Sequence, residues 1–202
     1  MISNEHSKSS CPFLQGNHLN VNNTLSRNLH DMIQQYNAFY KQCLDDVLDM
    51  FQDLSVDDTI KYAALSRCKI CDEKYPHQWR LSNETLQKFY CSVITKKEKI
   101  IECKDFEQIY DIINRAKVRG IGNLTVYDTS LRIGAKLNLF PEKKVYAFNG
   151  ASIAGQNGRH IFDRNEFKEE FANMSAYHIE DFLCVYKVQR ENYDIDVLRP
   201  IP

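Results

Sequence analysis

Apolar side chains recur at every third or fourth position along much of this chain, the spacing that places them on one face of an α-helix. From Thr24 to Gln52 this rhythm continues without a glycine or a proline, which predicts one long amphipathic helix. Its apolar positions are Leu25, Leu29, Ile33, Tyr36, Phe39, Tyr40, Cys43, Leu44, Val47, Leu48 and Phe51.

Further helices are predicted where a capping residue precedes an apolar run. Ser55 with Asp58 resembles a capping box, and Ser82 is a good N-cap because its hydroxyl accepts a hydrogen bond from a free amide of the first turn. The charge run at 96–99 predicts a turn. The predicted helices after the first are 56–65, 82–94, 105–116, 164–174 and 177–186.

One stretch, 144–148, has the character of a short strand, and the glycines of 155–158 predict a loop. The fold class is therefore mainly α: a single-domain bundle of about six to eight helices, with room for a minor β element. Residues 1–22 are rich in Ser, Asn, His and Gly and are predicted to be a flexible arm. The single helical domain is predicted to span 23–202.

The charges are unevenly distributed. The chain carries a net charge of −1, which argues against a protein that coats nucleic acid through bulk electrostatics. Between Arg115 and His160, however, eight basic and two acidic residues give +6, so the remainder carries −7. A local basic segment predicts a local contact with an anionic partner.

The cysteine pattern predicts a reducing, cytoplasmic compartment. Seven cysteines are scattered without the dense, even spacing of a small secreted scaffold. Residues 1–10 hold no apolar signal region, and no run of ~18 apolar residues predicts a membrane span. The pattern leaves the oligomeric state open.

Gly120-Ile121-Gly122 lies between two predicted helices. Glycines there allow backbone angles that other residues resist, and they let another backbone approach closely. The helix that follows would offer free N–H groups and the positive end of its dipole, a favourable place for phosphate.

The segment 105–139 resembles the helix-hairpin-helix motif, in which the hairpin binds nucleic-acid phosphates without reading sequence. The matching positions are Val118, Gly120, Ile121, Gly122, Thr125, Leu131 and Ile133. The resemblance implies phosphate contacts from Arg119, Asn123, Thr125 and the amides of Gly120 and Gly122. A purely structural turn, with Thr125 capping the second helix, is the alternative.

A wider resemblance joins Pro76-His77-Gln78, Arg80 and the run GIGNLTVYDTSLRIGA. These motifs are similar to those of a group of small bacterial proteins of uncharacterised function. The similarity implies a shared fold and a shared site, and it implies no named reaction.

DNA glycosylases with this hairpin place a catalytic Asp at a set distance beyond the second hairpin glycine. Counting along this chain reaches Glu142, and aligning on the Pro141 turn reaches Tyr146. A tyrosine cannot replace the carboxylate as a general base, and Glu142 lies in a polar turn where a solvated carboxylate is expected. Glycosidic-bond chemistry therefore remains an alternative.

The candidate pocket combines residues from three segments. His77 and Arg80 follow Pro76 and suit a phosphorylated or nucleotide ligand. Asp128 is followed at i+4 by Arg132, a pair that is common on surfaces. If that pair is buried, Asp128 is the preferred catalytic or ligand-orienting carboxylate. Asn149 would add a side-chain amide, whereas a core-filling Trp79 with a paired Arg80 is the alternative for the His77 loop.

Cys68 and Cys71 have the spacing of a metal knuckle, and with His77 and Cys91 they would form a Cys3His zinc site. A second close pair of ligands is missing, so ordinary thiols are the preferred interpretation. A redox motif is weaker still, because no βαβ pattern precedes it. Neither metal nor cofactor is predicted.

These patterns favour a protein that binds nucleic acid or a nucleotide-like ligand at His77, Arg80, Asp128 and Asn149. The alternatives are an enzyme of glycosidic-bond or nucleotide chemistry in the same pocket and a helical protein-interaction module.

Overall fold

The computed structural model describes residues 28–153, 156 and 158–200. Within that part of the chain nine α-helices dominate, so the mainly α prediction is confirmed. The helices are α1 (Leu29–Phe39), α2 (Lys41–Gln52), α3 (Val56–Ala64), α4 (Asn83–Ile94), α5 (Lys97–Ile101), α6 (Phe106–Ala116), α7 (Asn123–Leu137), α8 (Ala176–Val185) and α9 (Lys187–Asn192). Strands β1 (Lys144–Tyr146) and β2 (Ile161–Asp163) pair antiparallel. Single 3₁₀ turns occupy Pro76–Gln78, Asn149–Ala151, Arg164–Glu166 and Glu169–Phe171.

The predicted caps begin their helices. Ser55 Oγ accepts from the Asp58 amide at 3.1 Å and donates to the Asp58 carboxylate at 3.0 Å. Ser82 Oγ accepts from the Thr85 amide at 3.0 Å, and α4 then runs to Ile94 as predicted. The short strand predicted from residue 144 is also present as β1.

The predicted continuous helix from Thr24 to Gln52 is wrong. The chain bends at Tyr40, which separates α1 from α2. The Tyr40 ring packs against the rings of Tyr36 and Tyr186, with centroids 6.4 and 6.0 Å apart. Since α1 and α2 bury their apolar faces in different clusters, a straight helix could not serve both. The part of this prediction before residue 28, the arm 1–22 and positions 155 and 157 of the predicted loop lie outside the described residues.

Two other local predictions are wrong. The charge run at 96–99 leads into α5 rather than a turn, because Ile100 is buried there. The helix predicted over 164–174 is replaced by two 3₁₀ turns. Between them Phe167 is extended and forms an antiparallel bridge with Leu198, so pairing with a distant segment overrides the helical periodicity.

Buried apolar side chains form two clusters. The first cluster joins α2 to α7 and includes Ile60, Phe89, Phe106, Ile109 and Val126. The second cluster joins α1, the sheet and α8 and includes Met32, Tyr36, Phe162, Ile179 and Phe182.

The segment that starts with β1 supplies side chains to both clusters. Val145 and Ala147 belong to the second cluster, and Tyr146 and Phe148 to the first, as expected because successive strand residues point to opposite faces. The surface on which the two clusters meet holds the polar site described below. No described helix has the length and apolarity needed to cross a membrane.

Candidate ligand site at Asp128

Asp128 of α7 is the centre of the site, with its side chain 13% exposed. Three side chains lie near one of its oxygens, Oδ2. Gln78 Nε2 donates a short hydrogen bond to it, Arg132 Nη2 lies 3.8 Å away and His77 Nδ1 lies 3.9 Å away. Oδ1 makes no hydrogen bond within the described part of the chain. The carboxylate is thus oriented through one oxygen and leaves the other as an acceptor.

The turn Pro76–Gln78 brings His77 and Gln78 to Asp128. Its position is fixed from both sides, because the Tyr75 amide donates to Ser66 O at 2.9 Å and Lys74 Nζ donates to Leu81 O at 2.6 Å. Gln78 is fully buried, whereas the side chain of His77 is 39% exposed. His77 therefore forms the outer part of the site and Gln78 the inner part.

Arg132 is an interior residue rather than a surface one, 7% exposed. Its guanidinium lies 4.0 Å from the ring centroid of Tyr75, a cation–π contact. Its Nη1 atom is buried without a hydrogen-bond partner. Asp128 and Arg132 therefore form a buried pair and not the surface pair that their i,i+4 spacing also allowed.

Helix α8 adds two carboxyl groups that the sequence analysis did not single out. Burial raises the pKa of Glu180 well above its ordinary value, and the nearby carboxyls of Asp128 and Asp181 raise it further. Burial also raises the pKa of Asp181 to about 6, although the Tyr36 hydrogen bond and His77 lower it. Cys184, one turn later, lies with Sγ 3.8 Å from His77 Nε2.

A polar chain extends from Asp181 into the second cluster. The Tyr36 hydroxyl donates to Asp181 Oδ2 at 2.8 Å, and Tyr36 Oη lies 3.1 Å from His178 Nδ1. His178 Nε2 lies 3.1 Å from Asp45 Oδ1. Burial lowers the pKa of His178 to about 4, against the opposing effect of Asp45. These polar side chains connect the site to α1 and α2.

The Gly-Ile-Gly turn lies at the start of α7, ahead of Asp128. Gly120 adopts φ +96°, which an L side chain rarely takes, and Ile121 is buried and anchors the turn. Gly122 occupies the N-cap position at φ −90° and ψ 170° without any side-chain cap. Arg119 and Asn123 are exposed, and Thr125 is buried.

The other predicted site residues are less central. Arg80 is exposed and lies over the Trp79 ring at 5.2 Å, and Trp79 is 55% exposed, so the core-filling alternative for Trp79 is wrong. Asn149 is exposed, with φ +43°. Gly150 packs so closely on Cys184 Sγ that an added Cβ would lie 2.9 Å from it. The backbone at Gly150 therefore contacts the same sulfur as His77.

The positions expected from the glycosylase resemblance do not join the site. Tyr146 is buried among aromatic rings that include Phe106 and Tyr127, and Glu142 is exposed. Among the described residues no three His, Cys, Asp or Glu side chains are placed to hold a metal ion. Cys68 is buried and Cys91 is exposed.

The exposed positive charge of the segment 115–160 is smaller than its sequence suggests. Arg132 is inside the protein, and Arg159 forms a bidentate ion pair with Glu166 at 2.5 and 2.6 Å. Arg115, Lys117 and Arg119 remain exposed around the end of α6 and the turn, and Lys143 and Lys144 remain exposed at the start of β1. Three cations of the segment therefore lie beside Gly120 and Gly122.

No protein-family model matches the chain, no curated protein is significantly similar to it, and no solved structure matches its fold.

Proposed function

We propose that this protein binds nucleic acid, with the hairpin at 117–123 holding the sugar–phosphate backbone and the Asp128 site receiving one nucleotide. The observation that carries the proposal is the state of Asp128: Oδ2 is fixed by Gln78, Arg132 and His77 while Oδ1 stays open. A carboxylate fixed in this way is prepared for a ligand that donates a hydrogen bond.

The hairpin supports the phosphate contact. The first amides of α7 have no side-chain acceptor, because the N-cap is Gly122. No atom lies within 4 Å of where a Cβ would stand on Gly122, so its backbone is open to another chain. Arg119 and Lys117 are exposed beside it. Free amides, a helix dipole and cations together favour an anion.

Gly122→Ser is a decisive variant because the N-cap angles already suit a serine. The new hydroxyl would accept from the first-turn amides and stabilise α7 by about a few tenths of a kcal/mol, while it would occupy the groups proposed to bind phosphate. We expect weaker binding of a fluorescent single strand and duplex, together with an unchanged or higher melting temperature. Tight binding by a more stable Gly122→Ser protein would overturn the phosphate role of the turn.

Arg119→Ala measures the charge contribution, with Lys99→Ala as its matched control. Lys99 is equally exposed but lies on α5, outside the basic segment. Across a salt series, Arg119→Ala should lower the slope of log affinity against log salt by about one, whereas Lys99→Ala should leave it unchanged. Equal effects of the two variants would remove the hairpin as the binding surface.

Catalysis in the same site is a second candidate, favoured by the open Oδ1 of Asp128. An oriented carboxylate beside a half-exposed histidine has the composition of a general-base site, for example one that activates water against a glycosidic bond. Asp128→Asn keeps the size and one acceptor. Loss of turnover with binding retained would support catalysis, and unchanged turnover would exclude Asp128 as the base.

A further inference from the structure

Glu180 is a buried carboxyl group to which the described part of the chain supplies no hydrogen-bond partner. It is 8% exposed, and its side chain makes no hydrogen bond or ion pair with any described residue. The groups near it are Asp128 on α7, Asp181 and Cys184 on α8, and the Tyr127 hydroxyl. All of these are acidic or neutral, so burial and the neighbouring carboxyl groups raise the pKa of Glu180 and favour its protonated form, which presents an O–H donor.

Three further buried atoms around Asp128 lack partners. They are Gln78 Oε1, an acceptor; Arg132 Nη1, a donor; and Tyr127 Oη. An unpaired buried polar group costs ~1–3 kcal/mol. Several such atoms around one carboxylate are understandable if a polar ligand completes their hydrogen bonds.

The open atoms have a defined polarity. Gln78 Oε1 and Asp128 Oδ1 are acceptors on two side chains that are hydrogen-bonded to each other. An amino group has two N–H bonds and would satisfy both, whereas a carbonyl oxygen in its place would be repelled by both. Glu180, as a donor, then suits the unprotonated ring nitrogen next to that amino group.

We propose that the Asp128 site recognises a nucleobase with an exocyclic amino group, such as cytosine or adenine. Gln78 and Asp128 accept from the amino group, and Glu180 donates to the adjacent ring nitrogen. This inference rests on the proposed nucleic-acid function and names the base class that the site takes. No bond is made or broken in this recognition step.

The test compares matched single strands in which a carbonyl oxygen replaces the amino group and the adjacent ring nitrogen gains a hydrogen: oligo-dC with oligo-dU, and oligo-dA with oligo-dI. Single strands are used so that no base pair has to open first. We expect the amino member of each pair to bind at least about tenfold more tightly, within the range of one bidentate base contact. Free cytidine and uridine monophosphates, measured by ligand-observed NMR, show whether the site takes a base outside a strand.

Two variants locate the effect at Glu180. Glu180→Gln keeps a donor and should preserve the preference for dC. Glu180→Met removes the donor to the ring nitrogen, so it should lower the affinity for dC and leave a smaller preference that comes from Gln78 and Asp128 alone. Glu180→Met replaces an unpaired acid with an apolar side chain of similar length, so the protein should remain folded and be at least as stable.

The two proposals fail separately. Equal, salt-dependent binding of dC and dU strands would overturn the base recognition and leave the hairpin function standing. A dC preference that is as large in Glu180→Met as in the natural protein would overturn the role of Glu180. Absence of salt-dependent binding to every strand would overturn the proposed function itself and the recognition with it.

Discussion

Burial sets the protonation of several side chains around Asp128. Glu180 and Asp181 both lose hydration on α8, but only Asp181 receives a hydrogen bond, from Tyr36. That bond favours the charged form, which explains why the pKa of Asp181 rises only to about 6 while that of Glu180 rises further. The Tyr36 hydroxyl and His77 therefore oppose the effect of burial at Asp181, whereas neither acts on Glu180.

Asp181→Asn should stabilise the protein in a pH-dependent way. A carboxyl group whose folded pKa is raised opposes folding once the unfolded chain ionises, so the penalty is absent below pH 3.8 and complete above about 6. The variant keeps an acceptor for Tyr36 and removes this penalty. Its gain should approach ~3 kcal/mol near neutral pH, since one pKa unit corresponds to ~1.4 kcal/mol.

Urea unfolding of both proteins at several pH values measures this gain. The lowered pKa of His178 acts in the opposite direction as pH falls from 6.5 towards 4, but His178 is present in both proteins and cancels in the difference. A stability difference that does not change between pH 4 and 7 would show that Asp181 ionises normally.

Among the elements, α7 carries Asp128, and its C-terminal end requires a left-handed residue and a glycine. It ends at Asn138, which takes the left-handed conformation at φ +55°. The Leu139 amide donates to Gly134 O at 2.9 Å and the Asn138 amide to Ala135 O at 3.3 Å, the paired bonds of a Schellman motif. This tight return brings Leu139 O against Gly134, which leaves no room for a side chain there.

Gly134→Ala should destabilise the fold more than Gly122→Ala, although Gly134 lies within α7 and Gly122 is the N-cap of the same helix. A Cβ on Gly134 would lie 2.4 Å from Leu139 O, so the backbone turn must shift, at ~1–3 kcal/mol or more. A Cβ on Gly122 meets nothing within 4 Å, and the loss of a mediocre N-cap should cost less than ~1 kcal/mol. Thermal unfolding of the two variants measures the difference. Equal losses would mean that the α7 terminus relaxes freely.

At the scale of the whole molecule, the two apolar clusters are joined by the segment from Val145 to Phe148, which supplies side chains to both. The polar chain from Asp128 through Asp181 and Tyr36 to His178 crosses the same boundary. Loss of one cluster would expose the shared segment to water. Both clusters should therefore unfold together.

Ile109→Val and Ile179→Val test this coupling as a matched pair. Each side chain is fully buried, the first in the first cluster and the second in the second cluster. Each change should cost ~0.5–1.5 kcal/mol and lower a single calorimetric transition. Two transitions, with each variant shifting only one of them, would show two independent folding units.

The sequence by itself determined the features that depend on neighbours along the chain. Ser55 and Ser82 begin helices because their hydroxyls reach amides three residues later, and the spacing of Asp128 and Arg132 places both on one face of α7. His77 was recognisable because it follows Pro76 and precedes Arg80, and a histidine and an arginine in one loop suit a phosphorylated ligand.

Tertiary structure decided the rest. The acidic pair of α8 looked like ordinary helix charges, and only packing against α7 and α1 buries Glu180 and joins Asp181 to Tyr36. Phe167 is extended, and not helical as its sequence pattern predicts, because it pairs with the distant Leu198. A hydrogen bond or burial that depends on a residue far along the chain produces no periodic pattern in the local sequence. The contacts of Gln78, Glu180 and Asp181 are of this kind.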